Sequence, residues 1–320
     1  MQQRALGKTG LQVSVLGFGA SPLGGVFEEV DEAEGARAVQ GALELGINFF
    51  DVSPFYGATK AETALGRALK GIKRERYILA TKVGRYGPDD FDFSAQGVTR
   101  GFEKSLQRLG VDHVDLLQCH DIEFGDLNQV VQETLPALRQ LQQAGKTRFI
   151  GITGLPLRIF REVLGQVEVD TILSYCRYTL ADSALEDLIP FLEEKEAGII
   201  NAAPLSMGLL TQKGPPEWHP ASGEVKTACA RAAALCQQRG TDVARLALQF
   251  STSNPRIATT LVGMAHVREV ESNIACIEDA LDEELLRDVQ SVLAPIHNRS
   301  WSSGRLENND EAEHDEATSK

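Results

Sequence analysis

Four side chains suited to proton transfer lie at or just beyond the ends of neighbouring apolar runs: Asp51, Tyr56, Lys82 and His120. Asp51 comes late in "INFFDVS", Lys82 comes late in "YILATKVG", and His120 ends "VDLLQCH". A buried charge is costly unless it is paired, so we expect Asp51 and Lys82 to satisfy each other. Tyr56 follows Asp51 closely in the chain, and it can fold back over the pair.

The chemistry that these residue types suggest is proton transfer by Tyr56. A free phenol has a pKa of about 10 and is a poor base at neutral pH. The ammonium of Lys82 would favour the phenolate and lower that pKa. Asp51 would keep Lys82 charged, and His120 would donate a hydrogen bond to a substrate oxygen. Taken singly, Asp51 or Lys82 is more typical of a structural ion pair, and Tyr56 of a loop aromatic.

The elements that must position these groups follow a regular alternation. Short apolar runs, each typical of a strand buried on both faces, are separated by segments whose apolar residues recur at helical spacing. Eight such units predict an α/β fold, a (β/α)8 TIM barrel, whose functional groups collect at the carboxyl ends of the strands. The runs are "QVSVLGFGA", "INFFDVS", "YILATKVG", "VDLLQCH", "RFIGITG", "TILSYC", "GIINAAPL" and "IATTLVGM".

The alternative architecture is a doubly wound sheet, which also alternates strands and helices. Its dinucleotide-binding form needs GxGxxG between the first strand and a helix. The stretch "GFGASPLGG" has Gly17 and Gly19 but Pro22 where the third glycine belongs, which favours the barrel. Helices are predicted at 31–46, 60–70, 95–109, 128–144, 183–197 and 241–253, with a shorter one in "LPLRIFREVLG", a loop at 214–224 and an additional C-terminal helix at 282–293.

Composition limits the kinds of protein that this chain can be. We expect residues 1–307 to form a single barrel domain and residues 308–320 a disordered acidic tail. The formal charge of −13 and the pI near 5.0 argue against a nucleic-acid partner. Five cysteines without a CxxC pair favour reduced thiols and a cytoplasmic location, and Cys119 is expected to be a packed thiol. No apolar run is long enough to span a membrane, and no obligate protein partner is evident.

The four residues, on successive predicted strands, resemble the catalytic tetrad of the aldo-keto reductases. The resemblance extends from Leu6 to about Leu293. It implies a nicotinamide cofactor, hydride transfer with Tyr56 as general acid or base, and no metal; the chain also lacks an HExxH or CxxC ligand set. The stretches that carry it are "LGKTGLQVSVLGFG", "GINFFDVSPFYG", "AETALGRAL", "ILATKVG" and "SLQRLGVDHVDLLQCH".

Three stretches are most similar to a plant branch of this family that oxidises sugars: "SVLGFGASPLGGVF", "DVSPFYG" and "SYCRYTL". That resemblance implies oxidation of L-galactose at C1 to the galactonolactone, a precursor of ascorbate. Two alternatives stay open. One is an NADPH-dependent aldehyde or aldose reductase. The other is a cofactor-binding regulatory subunit of a channel with little turnover.

The expected cofactor is NAD. "LVGMAHVREVESNI" resembles the family motif that holds the adenosine half, where NADP-using members carry a lysine and an arginine. This chain has Gly263 and Glu269 there, and a carboxylate would repel a 2′-phosphate and accept a hydrogen bond from a ribose hydroxyl. Arg268 is a possible phosphate partner. Asn273 matches the family's asparagine, whereas Ser272 replaces its usual glutamate.

The remaining cofactor contacts are also inferred from the resemblance. Gly154 lacks the amide that the family often has there, and Ala202 and Ala203 replace a segment that contains an aromatic, so no ring that stacks on nicotinamide is identified. The expected cofactor contacts are Gly19, Ala20, Ser21, Thr153, Ser174, Tyr175, Pro204, Leu205, Ser206, Met207, Gly208, Leu209, Gly263, Met264, Ala265, Glu269, Ser272 and Asn273.

The substrate is expected to be a small sugar bound by the loops at 85–93, 121–127 and 211–225. A sugar needs several hydrogen-bond partners and an apolar wall. The side chains in these loops that offer such a mixture are Tyr86, Asp121, Phe124 and Asp126, with Phe91 and Trp218 as further aromatics.

Overall fold

The computed structural model describes residues 1–26 and 29–310. Its centre is a closed barrel of parallel strands, in which the last strand pairs with the first through Thr260 and Leu16. The predicted (β/α)8 barrel is therefore confirmed. The barrel strands are Leu16–Gly19, Phe49–Asp51, Ile78–Val83, Val114–Cys119, Thr147–Gly154, Thr171–Tyr175, Gly198–Ala202 and Thr259–Gly263.

The first predicted strand divides into two parts. Gln12–Ser14 pairs antiparallel with Gln3–Ala5, and only Leu16–Gly19 joins the barrel. Leu6, at the turn of this hairpin, is fully buried in a cluster with barrel residues. The hairpin therefore covers one end of the barrel with apolar side chains.

The predicted helices are found with small shifts in their bounds. Val267–Glu278 was expected only from the resemblance of "LVGMAHVREVESNI", and one helix, Gly223–Gln238, was missed. Gly223–Gln238 begins after Ser222, whose Oγ accepts a hydrogen bond from the amide of Val225 at 3.3 Å. The predicted loop at 214–224 therefore ends two residues too late. The helices are Glu32–Glu44, Lys60–Leu69, Ala95–Leu109, Leu127–Gln129 continued by the π-helical Val130–Thr134 and by Leu135–Gln143, Arg158–Leu164, Leu185–Glu194, Gly223–Gln238, Val243–Ser253, Val267–Glu278 and Glu283–Leu293.

The missed helix and the additional C-terminal helix form a small core of their own. Cys229 and Cys236 on the first helix pack in one cluster with Leu285 and Val289 on the second. The missed segment, "TACARAAALCQQ", is rich in alanine and contains few large apolar residues, so its helical periodicity is weak in the sequence. The C-terminal helix against which it packs determines which face of Gly223–Gln238 is buried.

A buried glutamate ties a helix to the third barrel strand. Glu62 is fully buried and accepts hydrogen bonds from Thr81 Oγ1 at 2.6 Å and from Arg108 Nε at 2.6 Å. Successive side chains of a strand point to opposite faces. Because Thr81 points outward to Glu62, the next residue, Lys82, points into the barrel.

The chain beyond the last long helix returns to the barrel. Leu306–Asn308 is a short 3-10 helix, and Asn308 is buried, with its Nδ2 donating to the backbone oxygens of Glu123 at 2.8 Å and Gly125 at 3.0 Å. The predicted start of the disordered tail at Asn308 is therefore wrong for residues 308–310. Residues 311–320 of that tail lie outside the described residues.

Two further features bear on the expectations from composition. All five cysteines are free and buried, which agrees with the prediction of reduced thiols, and burial raises the pKa of the Cys119 thiol far above its usual value. Within residues 1–26 and 29–310, no helix is long and apolar enough to cross a membrane.

We expect Gly57→Ala to destabilise the protein by about 3 kcal/mol, because backbone strain adds to a clash. Gly57 has φ +59°, and a Cβ there would lie 2.1 Å from the backbone oxygen of Gly24. Gly71→Ala is the matched control, since Gly71 has φ +84° but no atom within 4 Å of the added Cβ. That variant should lose only about 1 kcal/mol. Urea unfolding measures both, and equal losses would show that the contact with Gly24 is unimportant.

Candidate active site

Lys82 is the centre of the hydrogen bonds inside the barrel mouth. Its Nζ donates to Asp51 Oδ1, to the backbone oxygen of Val52 at 3.1 Å and to the hydroxyl of Tyr56 at 3.2 Å. Lys82 is 1% exposed and Asp51 3% exposed, so the pair is screened from water. The predicted convergence of these three side chains is therefore present in the structure.

Gln118 is a fourth member of this network that sequence reasoning missed. Its Nε2 donates to Asp51 Oδ2 at 2.9 Å, so both oxygens of the carboxylate are engaged. Gln118 pairs with Lys82 in the sheet register, and it lies two residues before His120, which directly follows the same strand. Residues two apart on a strand share a face, and that signal could have identified it.

His120 is held as a neutral imidazole beside Tyr56. The two rings meet edge to face with centroids 5.7 Å apart, and Ser53 Oγ lies 3.0 Å from His120 Nδ1. Ser53 Oγ accepts the amide of Phe55 at 3.1 Å, which leaves its hydroxyl hydrogen for Nδ1. This favours the tautomer with the proton on Nε2. Burial, with Lys82 and Arg85 acting in the same direction, lowers the pKa of His120 to about 3 despite the opposing effect of Asp121.

Burial also affects the pKa values of Lys82 and Tyr56. Burial opposes the charge on Lys82, but the neighbouring Asp51 and Tyr56 outweigh it and raise the pKa of Lys82. For Tyr56, burial raises the pKa more than Lys82 lowers it. The prediction that Lys82 brings the pKa of Tyr56 below its usual value is therefore wrong in its net direction. At neutral pH the phenol is protonated beside a charged ammonium.

A second ion pair borders His120 at the rim. Arg85 donates to Asp121 Oδ2 at 2.6 Å, and Thr153 donates to Asp121 Oδ1 at 3.0 Å. Asp121 Oδ2 lies 3.6 Å from His120 Nε2. The guanidinium of Arg85 packs over the ring of Phe124, 4.5 Å from its centroid. Asp121 and Phe124, both predicted to face the substrate, thus share one polar and aromatic wall with Arg85, which was missed.

The other predicted substrate residues have structural partners. The hydroxyl of Tyr86 donates to the backbone oxygen of Gly97 at 3.3 Å, within a helix. Asp126 is exposed, and its Oδ1 accepts the amide of Asn128 at 2.8 Å as a helix cap. Phe91 stacks on Phe124 with centroids 4.9 Å apart. For Tyr86 and Asp126 a substrate role stays a prediction without a supporting contact.

The predicted nicotinamide side offers an unpaired polar atom. Ser174 is fully buried, and its Oγ lacks a hydrogen-bond partner among the described residues. Next to it, Tyr175 donates from its hydroxyl to Glu123 Oε1 at 3.0 Å. Thr153 is already engaged by Asp121. A buried hydroxyl without a partner is expensive, so Ser174 fits a site that a polar ligand completes.

The predicted pyrophosphate loop has an unusual backbone. Ala203, Ser206 and Met207 adopt left-handed conformations, with φ between 48° and 54°, and Gly208 has φ 102°. Such turns form concave backbone surfaces that suit anions. His219 Nε2 lies 3.1 Å from the backbone oxygen of Ser206, so this histidine stabilises the loop. The residues present therefore fit a nucleotide cofactor.

The adenosine side carries two carboxylates. Glu269 Oε2 accepts the amides of Ala265 at 2.8 Å and His266 at 3.1 Å. Glu34, which sequence reasoning missed, accepts the amide of Val267 at 3.3 Å. Amides at a helix N-terminus are the groups that a phosphate would use. Glu269 therefore acts first as a helix cap, and both carboxylates place negative charge at this helix N-terminus.

The predicted adenosine contacts differ in exposure. Gly263 and Ser272 are exposed and Asn273 is half-buried, whereas Met264 and Ala265 are buried. At the first strand, Gly19 and Ser21 are half-buried and Ala20 is buried. In the pyrophosphate loop, the half-buried residues are Leu205, Met207 and Gly208, and the buried ones are Pro204, Ser206 and Leu209.

Comparison with known proteins decides the family. The model of the aldo/keto reductase family matches residues 15–294. The chain belongs to this family. As an aldo-keto reductase it is an oxidoreductase, and the members of the family bind a nicotinamide cofactor. Asp51, Tyr56, Lys82 and His120 all lie within the matched part of the chain.

Individual aldo-keto reductases resemble the chain along nearly its whole length. L-galactose dehydrogenase of Arabidopsis thaliana is 53% identical over 96% of this chain and 99% of that protein. D-threo-aldose 1-dehydrogenase of a Pseudomonas species is 28% identical over 84% of this chain and 91% of that protein. The holo structure of an aldo-keto reductase from Bacillus halodurans superimposes with a TM-score of 0.76 at 28% identity, covering 97% of this chain and 100% of its own.

The imidazole of His120 should stay neutral from pH ~8 down to pH ~4, since its pKa is lowered to about 3. The unfolded chain binds this proton near pH ~6.5. His120 therefore reduces the free energy of unfolding as the pH falls below ~6.5. Ring nitrogen shifts from NMR of histidine-labelled protein measure the titration, with His120→Gln for assignment. Protonation near pH ~6.5 would contradict the burial argument.

Proposed function

We propose that this protein oxidises L-galactose at C1 to L-galactono-1,4-lactone with NAD, a step of ascorbate synthesis. The observation that carries the proposal is the buried Lys82–Asp51 pair that holds the hydroxyl of Tyr56 beside His120. The 53% identity to the Arabidopsis L-galactose dehydrogenase, over almost all of both chains, supports the choice of sugar.

Tyr56 moves the hydroxyl proton in this proposal. The sugar C1 hydroxyl binds between the Tyr56 oxygen and Nε2–H of His120, and Tyr56, in its phenolate form, takes the hydroxyl proton as a general base and becomes the phenol. Lys82, charged and anchored by Asp51, stabilises the phenolate through which this transfer passes. A nicotinamide ring supplies the acceptor for the hydride that leaves C1. The raised pKa of Tyr56 means that oxidation is favoured at alkaline pH, where the phenolate is more populated.

Arg85 and Asp121 are proposed to bind the other hydroxyl groups of the sugar. Their charged groups are 2.6 Å apart, and both lie beside His120. The rings of Phe55 and Phe124, which pack on Arg85 at 4.0 and 4.5 Å, offer an apolar wall for the sugar C–H groups. Polar groups of fixed geometry against an apolar wall are typical of small-molecule sites.

NAD is the proposed cofactor because two carboxylates occupy the helix N-terminus. Glu269 and Glu34 accept the amides of Ala265, His266 and Val267 and leave negative charge at that position. A 2′-phosphate would meet repulsion there. Ser174 and the loop from Ala203 to Gly208 would hold the nicotinamide and pyrophosphate portions.

Replacing Tyr56 by Phe should lower kcat by about 10²- to 10⁴-fold, the usual contribution of a positioned acid or base. Binding of NAD should change little, because only the hydroxyl is removed. Tyr77→Phe is the matched control, since Tyr77 is also a buried tyrosine but its ring packs on Phe50 and Arg74. The assay is NADH formation with L-galactose, and retained turnover in the Tyr56 variant would refute the mechanism.

Glu269→Gln should raise the activity with NADP relative to NAD by roughly tenfold, because it removes a charge near the 2′-position. The amide oxygen of glutamine can still accept the amides of Ala265 and His266, so the helix cap is retained. Glu271→Gln is the control, because Glu271 is exposed on the same helix. Parallel assays with both cofactors measure the ratio. An unchanged ratio would point to Arg268 as the determinant.

A further inference from the structure

Glu123 is a buried carboxyl group that the proposed mechanism does not use. It lies in the short 3-10 helix Ile122–Phe124, two residues after Asp121, and it is fully buried. Its Oε1 accepts hydrogen bonds from the hydroxyl of Tyr175 at 3.0 Å, the hydroxyl of Ser303 at 3.0 Å and the amide of Leu155 at 3.2 Å. Three separate parts of the chain thus converge on one oxygen.

The backbone of Glu123 holds the same returning chain, residues 301–310, which we call the C-terminal segment. The backbone oxygen of Glu123 accepts the amide of Arg305 at 2.9 Å and Nδ2 of Asn308 at 2.8 Å. Gly304, with φ +69°, packs so closely that a Cβ there would lie 2.3 Å from this oxygen. Glu123 therefore anchors the middle of the segment through both its side chain and its backbone.

The two ends of the C-terminal segment are fixed elsewhere. The ring of Trp301 meets that of His219 at 4.9 Å, and Asp310 accepts the backbone amide of Arg158 at 2.9 Å. Between these points the segment passes over Glu123. The turn that carries Glu123 also carries Asp121, which lies 3.6 Å from His120 Nε2. Movement of the segment would therefore displace Asp121 and change the wall that it forms with Arg85 and Phe124.

The surroundings of Glu123 favour the neutral acid. Among the described residues, no Lys, Arg or His lies within ion-pair distance of it, and its Oε2 has no hydrogen-bond partner. The titratable groups that face it are Asp121 from its own turn and Tyr175 at the end of the sixth barrel strand. The exposed side chain of Arg305, on the segment, pairs with Glu307 instead. Burial, followed by Asp121, raises the pKa of Glu123 to about 8.

We propose that Glu123 is a positioning residue of the substrate site: as a neutral acid it fastens the C-terminal segment and the phenol of Tyr175 to the rim beside Asp121. The location of the substrate rests on the proposed function, whereas the docking of the segment does not. Glu123 would become exposed to water if the segment opened, and it would then titrate near pH ~4.5. Because the docked state binds this proton more tightly, docking weakens as the pH rises from ~4.5 to ~8.

Hydrogen–deuterium exchange of residues 301–310, without substrate or cofactor, tests the docking directly. In the unmodified protein, the protection factors of these amides should fall by about tenfold or more between pH ~6 and ~9. In Glu123→Gln they should stay constant, because the amide oxygen accepts the same three donors and does not ionise. Glu307→Gln is the matched control, since Glu307 is exposed on the same segment, and it should behave as the unmodified protein.

The proposal is overturned if protection in Glu123→Gln falls with pH as it does in the unmodified protein, or if protection in the unmodified protein does not change. Steady-state kinetics provides the second readout. The KM for L-galactose should rise between pH ~6 and ~8 in the unmodified protein and stay flat in Glu123→Gln, with kcat similar in both. A confirmed exchange result without any turnover of L-galactose would retain the positioning role and reject the proposed substrate.

Discussion

The ion pair between Lys82 and Asp51 is the constraint on which the rest of the site depends. Both groups lie inside the barrel, where an unpaired charge would be unstable. Their mutual neutralisation allows an ammonium group to stay 3.2 Å from the hydroxyl of Tyr56 without contact with water. The hydrogen bonds of Gln118 and of the Val52 carbonyl saturate the pair, and they fix the direction in which Lys82 points.

The barrel supplies this geometry by alternation. On the third strand, Thr81 is held outward by Glu62, so Lys82 must point inward. Gln118 on the fourth strand and His120 directly after it share the inward face because they are two residues apart. Lys82 is thus oriented by a neighbour on the opposite face, so the buried contact between Thr81 on the strand and Glu62 on a helix helps to fix the position of Lys82.

The second layer of the site comes from segments far apart in sequence. Glu123 and Ser303 are separated by 180 residues and share a hydrogen bond. Arg85 reaches Asp121 from another loop, and Glu34 reaches the helix that begins at Val267. None of these pairs has a spacing that a single sequence reveals. The helix Gly223–Gln238 was missed for a related reason, since its buried face is set by a partner helix and not by strong periodicity.

The sequence by itself determined the barrel and the convergence of Asp51, Tyr56, Lys82 and His120, because strand and helix periodicity and the placement of these residues near strand ends are local patterns. Only the tertiary structure decided how those groups ionise. The net direction of the Tyr56 pKa depends on a balance between burial and one ammonium, and the neutral state of His120 depends on complete burial. The tertiary structure also placed Asn308 against the backbone of Glu123. A sequence does not reveal such a contact, because the stability of a buried polar group depends on which distant donors reach it.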